Sequence, residues 1–227
     1  MLAGWAISTG AKRPLHSVTD LKNSKIGVSR IGSGSYVMGF VLADQQGWLS
    51  STSDTSEPSP PFEVVPLQTF ENLRKAVNDS TADFFMWEHF TSKRYYDNSE
   101  IKRIGEIYTP WSSWKIVAST KLVSENGNDP RLEDLFEKID KGVRYFDKNH
   151  REAVKYISTA LDYSEADAQE WLKTVSFASQ TKGVNVEVIG KTIEVLKKAG
   201  VLEDDSMESA VMVGKQTGAQ VRTLMDV

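Results

Sequence analysis

The chain of 227 residues contains no cysteine. Disulfides, thiolate metal sites, iron–sulfur clusters and cysteine nucleophiles are therefore excluded. Histidine is scarce: His16, His89 and His150 are the only three. None has the partner spacing of H-E-x-x-H, and no G-x-S-x-G occurs. With no such constellation, no metal, cofactor or catalytic residue is expected. An excess of positive charge is missing too, with 27 basic against 31 acidic residues. That balance argues against a nucleic-acid partner, which would favour a basic face. No uncharged apolar run approaches the roughly 18 residues a membrane span requires. The opening MLAGWAISTGAKRP has no basic segment followed by an apolar core, so it does not read as a secretory signal. The expectation is a soluble, cytoplasmic protein with no membrane partner.

What is present is strand–helix alternation. The stretch KIGVSRIGSGSYVMGF, residues 25–40, places a β-branched run before Gly32-Ser33-Gly34-Ser35 and an apolar segment of helical length after it. It does not fit a dinucleotide fingerprint, which needs a third glycine where Val37 stands. A P-loop fails as well, because Phe40 and Val41 occupy the lysine and hydroxyl positions. A strand, a glycine-serine turn and a helix N-terminus remain, an arrangement that suits an anion or a polar head group.

Strands are predicted at 4–8, 25–29, 62–65, 82–87, 101–107 and 114–119. Helices are predicted at 35–46, from Thr69 as cap through Val77, and at 90–96. The first of these is apolar nearly all round, which implies burial between layers, and Gly47 suits its C-terminal cap. Residues 50–61 (SSTSDTSEPSPP) are poor in apolar side chains and read as a surface loop. Two-sided apolar strands alternating with helices indicate a largely parallel sheet covered on both faces. Beyond residue 121 the pattern turns helical, at 131–145, 151–161, 164–176 and 186–199. Ser164 with Asp167 has capping-box spacing, and Gly200 closes the last of these helices. Asp129, Glu133 and Asp134 bias a helix N-terminus toward negative charge. From Met207 the periodicity is weak, and no internal repeat is found.

Taken together, KIGVSRIGSGSYVMGF, NDSTADFFMWEHF and IGEIYTPWSSWKIVAS resemble the type 2 periplasmic-binding-protein fold. They look closest to a fungal intracellular branch related to thiamine-pyrimidine, nitrate and sulfonate binding proteins. The resemblance covers nearly the whole chain. It implies an α/β, two-lobed fold binding a small polar, anionic or heteroaromatic ligand in the cleft between lobes. On that alignment residues 1–19 and 112–227 form a first lobe and 20–111 a second. The first lobe would lack ~70 to 90 residues at its N-terminus, the size of two β–α units with their connections. Helix faces short of partners would then favour self-association.

The candidate ligand-binding residues are Ser33, Gly34, Ser35, Tyr36, Trp87, Glu88, His89, Trp111 and Trp5. Ser33 and Ser35 offer hydroxyls beside free amides, at the carboxyl end of a strand where ligands lie in parallel sheets; as plain caps they would be worth roughly 1 kcal/mol. Trp87 and Glu88 end a buried strand, where a ring could stack on a flat ligand and a carboxylate accept its N–H groups. His89 is a contact or base candidate, against the commoner role of local hydrogen bonding. Trp111 and Trp5 are candidate cleft walls, and Trp114 is read as packing. The related pyrimidine synthases use a cysteine-rich iron motif, which a chain without cysteine cannot carry. A non-enzymatic binding protein is the leading reading. A synthase-like enzyme and a fold remnant with an interaction role are the alternatives.

Overall fold

The computed structural model describes residues 4–49, 61–110, 114–124, 127–161, 163–181, 183–198 and 201–202. It divides into two compact units, Leu2–Ser112 with Ile193–Glu203, and Ser113–Thr192 with Asp204–Val227. The expected loop at 50–60 and the tail from Met207 lie outside the described residues, as do Trp111 and Gly200.

The first unit is built on a five-stranded sheet. Its strands are β1 (Gly4–Gly10), β2 (Lys25–Val28), β3 (Glu63–Pro66), β4 (Phe84–Glu88) and β5 (Ile101–Tyr108), in the order β3-β2-β4-β1-β5. The pairs β2–β3 and β2–β4 are parallel, whereas β1 runs antiparallel to both β4 and β5. Half the pairings are thus antiparallel, where a largely parallel sheet was expected. Side-chain composition reports that a strand is buried on both faces, and it carries no record of direction. β1, which falls within the segment grouped by sequence with 112–227, is the fourth strand of this sheet.

Alternation along the strands splits the core between the two faces. On one face Ile7, Ile26, Val28, Phe84 and Met86 pack against Met38, Val41 and Leu42 of α1 (Gly34–Gln45). On the other, Phe85 and Ile101 pack against Leu73, Ala76 and Val77 of α2 (Phe70–Asp79), with Tyr95 and Tyr96 of α3 (His89–Asp97) beside them. Each such side chain, fully buried, contributes about 1.5–3 kcal/mol. Six consecutive residues of α1, Met38 to Ala43, are buried, as its apolar circumference requires. Val195 packs against this cluster, and Lys198 pairs with Asp44. Gly47, at φ +67°, follows the Gln46 cap, and the Trp48 amide donates back to the Ala43 carbonyl at 2.8 Å. Thr69 caps α2 by accepting from the Asn72 amide at 3.2 Å.

Among its described residues the regular structure of the second unit is helical, apart from the short hairpin β6 (Val123–Ser124) and β7 (Gly127–Asn128). Asp129 caps α4 (Pro130–Lys148), accepting from the Arg131 amide, and Pro130 opens the helix where its missing N–H costs nothing. Next come α5 (His150–Ala160) and α6 (Glu165–Thr174), which bury Val154, Ile157 and Ala168 between them beside Trp171 and Leu172. Ser164 caps α6 through the Asp167 amide at 3.0 Å. The helix α7 (Val186–Lys198) contains the boundary between the units. All four helices fall within a few residues of expectation.

The strand expected at 114–119 is absent: these residues have no regular structure. Trp114 sits at φ +60°, a conformation costly for an aromatic residue, and it is 86% exposed rather than packed. No described strand pairs with this segment. An apolar run without a neighbour to take its backbone groups does not become a strand.

Candidate functional site

The glycine-serine turn forms as the sequence implies. After β2 the chain turns through Gly32, at φ +77°, and the Ser33 amide donates to the Arg30 carbonyl at 3.1 Å. Ser33 is the N-cap of α1. Its hydroxyl accepts from the Tyr36 amide at 3.3 Å and lies 3.0 Å from the Ser35 hydroxyl. Both serines are buried. The Ser29 amide, which sequence reading passed over, makes a long contact of 3.4 Å to the Ser35 hydroxyl. A serine at the end of a strand gives no warning of that role. The amides of Gly34 and Ser35 donate to no described residue. Two free helix N-terminal donors therefore stand just beyond the carboxyl end of β2.

Trp5 closes on this turn. A Cβ built on Gly34 would come within 2.8 Å of the Trp5 ring, so glycine is what allows the indole to lie against the helix start. The indole Nε1–H is buried and has no hydrogen-bond partner among the described residues. A buried donor left unsatisfied costs about 1–3 kcal/mol, a cost that a ligand acceptor would remove. Tyr36 is half-buried and edge-on to Phe40 at 5.0 Å, and burial pushes its hydroxyl pKa up, keeping it protonated.

The other candidates are placed elsewhere. Trp87 stacks on Phe70, with centroids 5.1 Å apart and planes at 19°, in the core on the α2 side of the sheet. Trp5 packs into the α1-side core, so the two tryptophans lie on opposite faces. In FFMW, residues 84–87, every residue is apolar, and alternation of faces was illegible there. Glu88 is register partner to Trp5. Its carboxylate is engaged as the cap of α3, accepting from the Thr91 amide at 2.7 Å and the Thr91 hydroxyl at 2.8 Å. His89, the first residue of α3, faces β5, its Nδ1 3.3 Å from Arg103 Nη1. Ser33, Gly34, Ser35, Tyr36 and Trp5 are thus brought together, while Trp87 and His89 belong to the far face. Among the described residues no group of histidine and carboxylate side chains is arranged to hold a metal, and no helix is long and apolar enough to cross a membrane.

Residues 5–107 match the family model for Ca3427-like PBP. The structure of the Candida albicans CA3427 gene product, described as defining a new family with the generic periplasmic binding protein fold, is 38% identical in sequence. It superposes with a TM-score of 0.73 over 97% of this chain and 72% of its own length. The alkanesulfonate-binding protein SsuA from Xanthomonas axonopodis pv. citri, bound to MOPS, is 13% identical, with a TM-score of 0.62 over 93% of this chain and 72% of that one. The periplasmic aliphatic sulphonate binding protein SsuA from Escherichia coli is 14% identical, with a TM-score of 0.55 over 100% and 75%. At such identities the two bacterial proteins show the fold alone. No curated protein matches the sequence. The identity and extent of the Candida match go further: the chain belongs to the Ca3427-like family of proteins with the periplasmic-binding-protein fold.

Proposed function

We propose that the protein binds a small polar or anionic solute in the cleft between two lobes, without chemical conversion. The Ser33–Tyr36 turn is its polar grip and Trp5 its wall. The observation that carries this reading is the pair of free Gly34 and Ser35 amides at one strand end, with the benzo edge of Trp5 lying against them and its indole N–H unpartnered among the described residues. All three are donors, and a helix N-terminus adds about half a positive charge, so a ligand rich in acceptor oxygens fits best. The sulfonates bound by the bacterial proteins of this fold are ligands of that kind. Trp111 is retained as a second wall. The same reading keeps the protein in the cytoplasm, which cell fractionation tests.

Calorimetric titration of the full chain with MOPS and methanesulfonate, beside the Ser33→Ala/Ser35→Ala variant, tests the grip. Loss of at least tenfold in affinity, corresponding to about 1.4 kcal/mol, is expected with only a cap's worth of stability lost. Equal affinity in the variant would reduce the serines to caps. No heat of binding with either compound in the native chain would remove the anionic class.

A further inference from the structure

We propose that the groove between α3 and β5 is a second ligand site, one for a phosphate monoester. It lies on the sheet face away from the Ser33 turn and is independent of it. The cavity measures about 500 Å³, and its lining includes His89, Lys93, Tyr96, Lys102 and Arg103, with Asp97 as the one carboxylate. That volume falls within the roughly 300–1,000 Å³ of small-molecule pockets and exceeds what a bare phosphate ion fills.

The charges around it do not cancel. Lys93 is neutralised by Asp97 at 2.6 Å and Arg103 by Glu106 at 3.0 Å. Lys102 instead donates to the Arg13 carbonyl at 2.6 Å, and no described carboxylate pairs with it. Its ammonium is held in place by a neutral group. Arg103 uses only Nη1, toward Glu106 and His89, so its Nε and Nη2 donors contact no described residue. That free edge is the fork that meets two phosphate oxygens at once.

The aromatic groups supply the rest. The Tyr96 hydroxyl is fixed to the Ser8 hydroxyl at 2.7 Å from within the sheet, and the His89 ring stacks beside it, with centroids 6.1 Å apart and planes at 29°. A flat organic group attached to the phosphate would lie against these rings, while the free edge of Arg103 takes the phosphoryl oxygens and Lys102, at the opposite parity of β5, adds its charge from the rim of the groove. A simple solvated charged face would leave its cations paired or dispersed. Here an unpaired lysine and a half-used arginine line one cavity with a fixed ring pair.

The probe is phenyl phosphate, titrated into the full chain and followed by amide NMR, with phenol and inorganic phosphate as comparisons. Phenyl phosphate should shift the amides of residues 89, 93, 96, 102 and 103 and bind at least tenfold tighter than either comparison. Lys102→Gln with Arg103→Gln should weaken it at least tenfold, and Ser33→Ala/Ser35→Ala should leave it unchanged. Arg103→Lys keeps the charge and loses the fork, and it should still weaken binding several-fold. Should the double glutamine variant not fold, Lys102→Gln alone carries the same expectation in smaller degree. Shifts confined to other residues, or equal binding by the Lys102 variant, would overturn the site.

Discussion

Between residues 4 and 110 the buried apolar side chains form two continuous clusters, one on each face of a five-stranded sheet. Between residues 130 and 192 the buried apolar residues, among those described, are Leu132, Val154, Ile157 and Ala168. Both regions contain well-capped helices with clear periodicity, so capping and pattern do not account for the contrast. A helix has one stripe to bury, whereas a sheet offers two faces and draws helices to both. The candidate binding groups follow the better-packed part. Ser33, Ser35 and Trp5 owe their positions to strand ends and to α1, which is enclosed on all sides, and such a frame can hold donors in place before a ligand arrives.

The largest expected effect tests the packing contrast itself. Phe85 is fully buried and edge-on to Phe70 at 5.9 Å, and Phe85→Ala should cost about 3–5 kcal/mol. Ile157→Ala, at the thinner α5–α6 contact, should cost no more than about 2 kcal/mol. Urea denaturation of both variants checks this, and equal losses would erase the distinction between the regions. Trp87→Ala comes next: it should lower stability by about 3 kcal/mol and leave affinity at the serine turn unchanged. A fall in affinity beyond the fall in stability would return Trp87 to the site.

Hydrogen exchange resolves the same contrast locally. Amides of β1 and β4 should exchange orders of magnitude more slowly than those of α5 and α6, and matching protection would mean the helical unit is as firmly built as the sheet. Tyr156 and Leu161 are 65% and 52% exposed. We propose that such side chains draw copies of the chain together. Sedimentation coefficients should then rise with concentration, and a constant value would contradict this.

The smallest effect is at the start of α4. Hydrogen bonds from Arg131 hold the Asp129 carboxyl down at about 2, from a normal 3.8. A depressed folded-state value stabilises above the unfolded value, and that contribution disappears as pH falls from about 4 toward 2. The first turn of α4 should fray across that window by amide NMR. Asp129→Asn, which cannot titrate, should show no such step.

Much of this arrangement was legible in the sequence, and what was not shares a cause. The turn at Gly32–Ser35, the caps at Thr69 and Ser164 and the enclosed α1 rest on local rules, read from adjacent residues. Strand direction, the face that Trp87 takes and the fate of residues 114–119 depend on partners far along the chain. A run such as FFMW is apolar at both parities, so only its register against β1 shows which ring goes where. Glu88 was read as a ligand acceptor, and the Thr91 amide three residues on takes its carboxylate as a helix cap. Arg103 drew no notice in the sequence, and only the register of β5 sets it beside His89.

The claim that matters most is that donors at the serine turn hold a small acceptor-rich solute. Purified native protein can be examined by mass spectrometry under non-denaturing conditions and again after denaturation, beside the Ser33→Ala/Ser35→Ala variant. The account predicts a small polar molecule carried by the native chain, released on denaturation and strongly depleted in the variant. A native chain that carries nothing and takes up none of the offered sulfonates, or a variant that retains the same molecule in full, would contradict it.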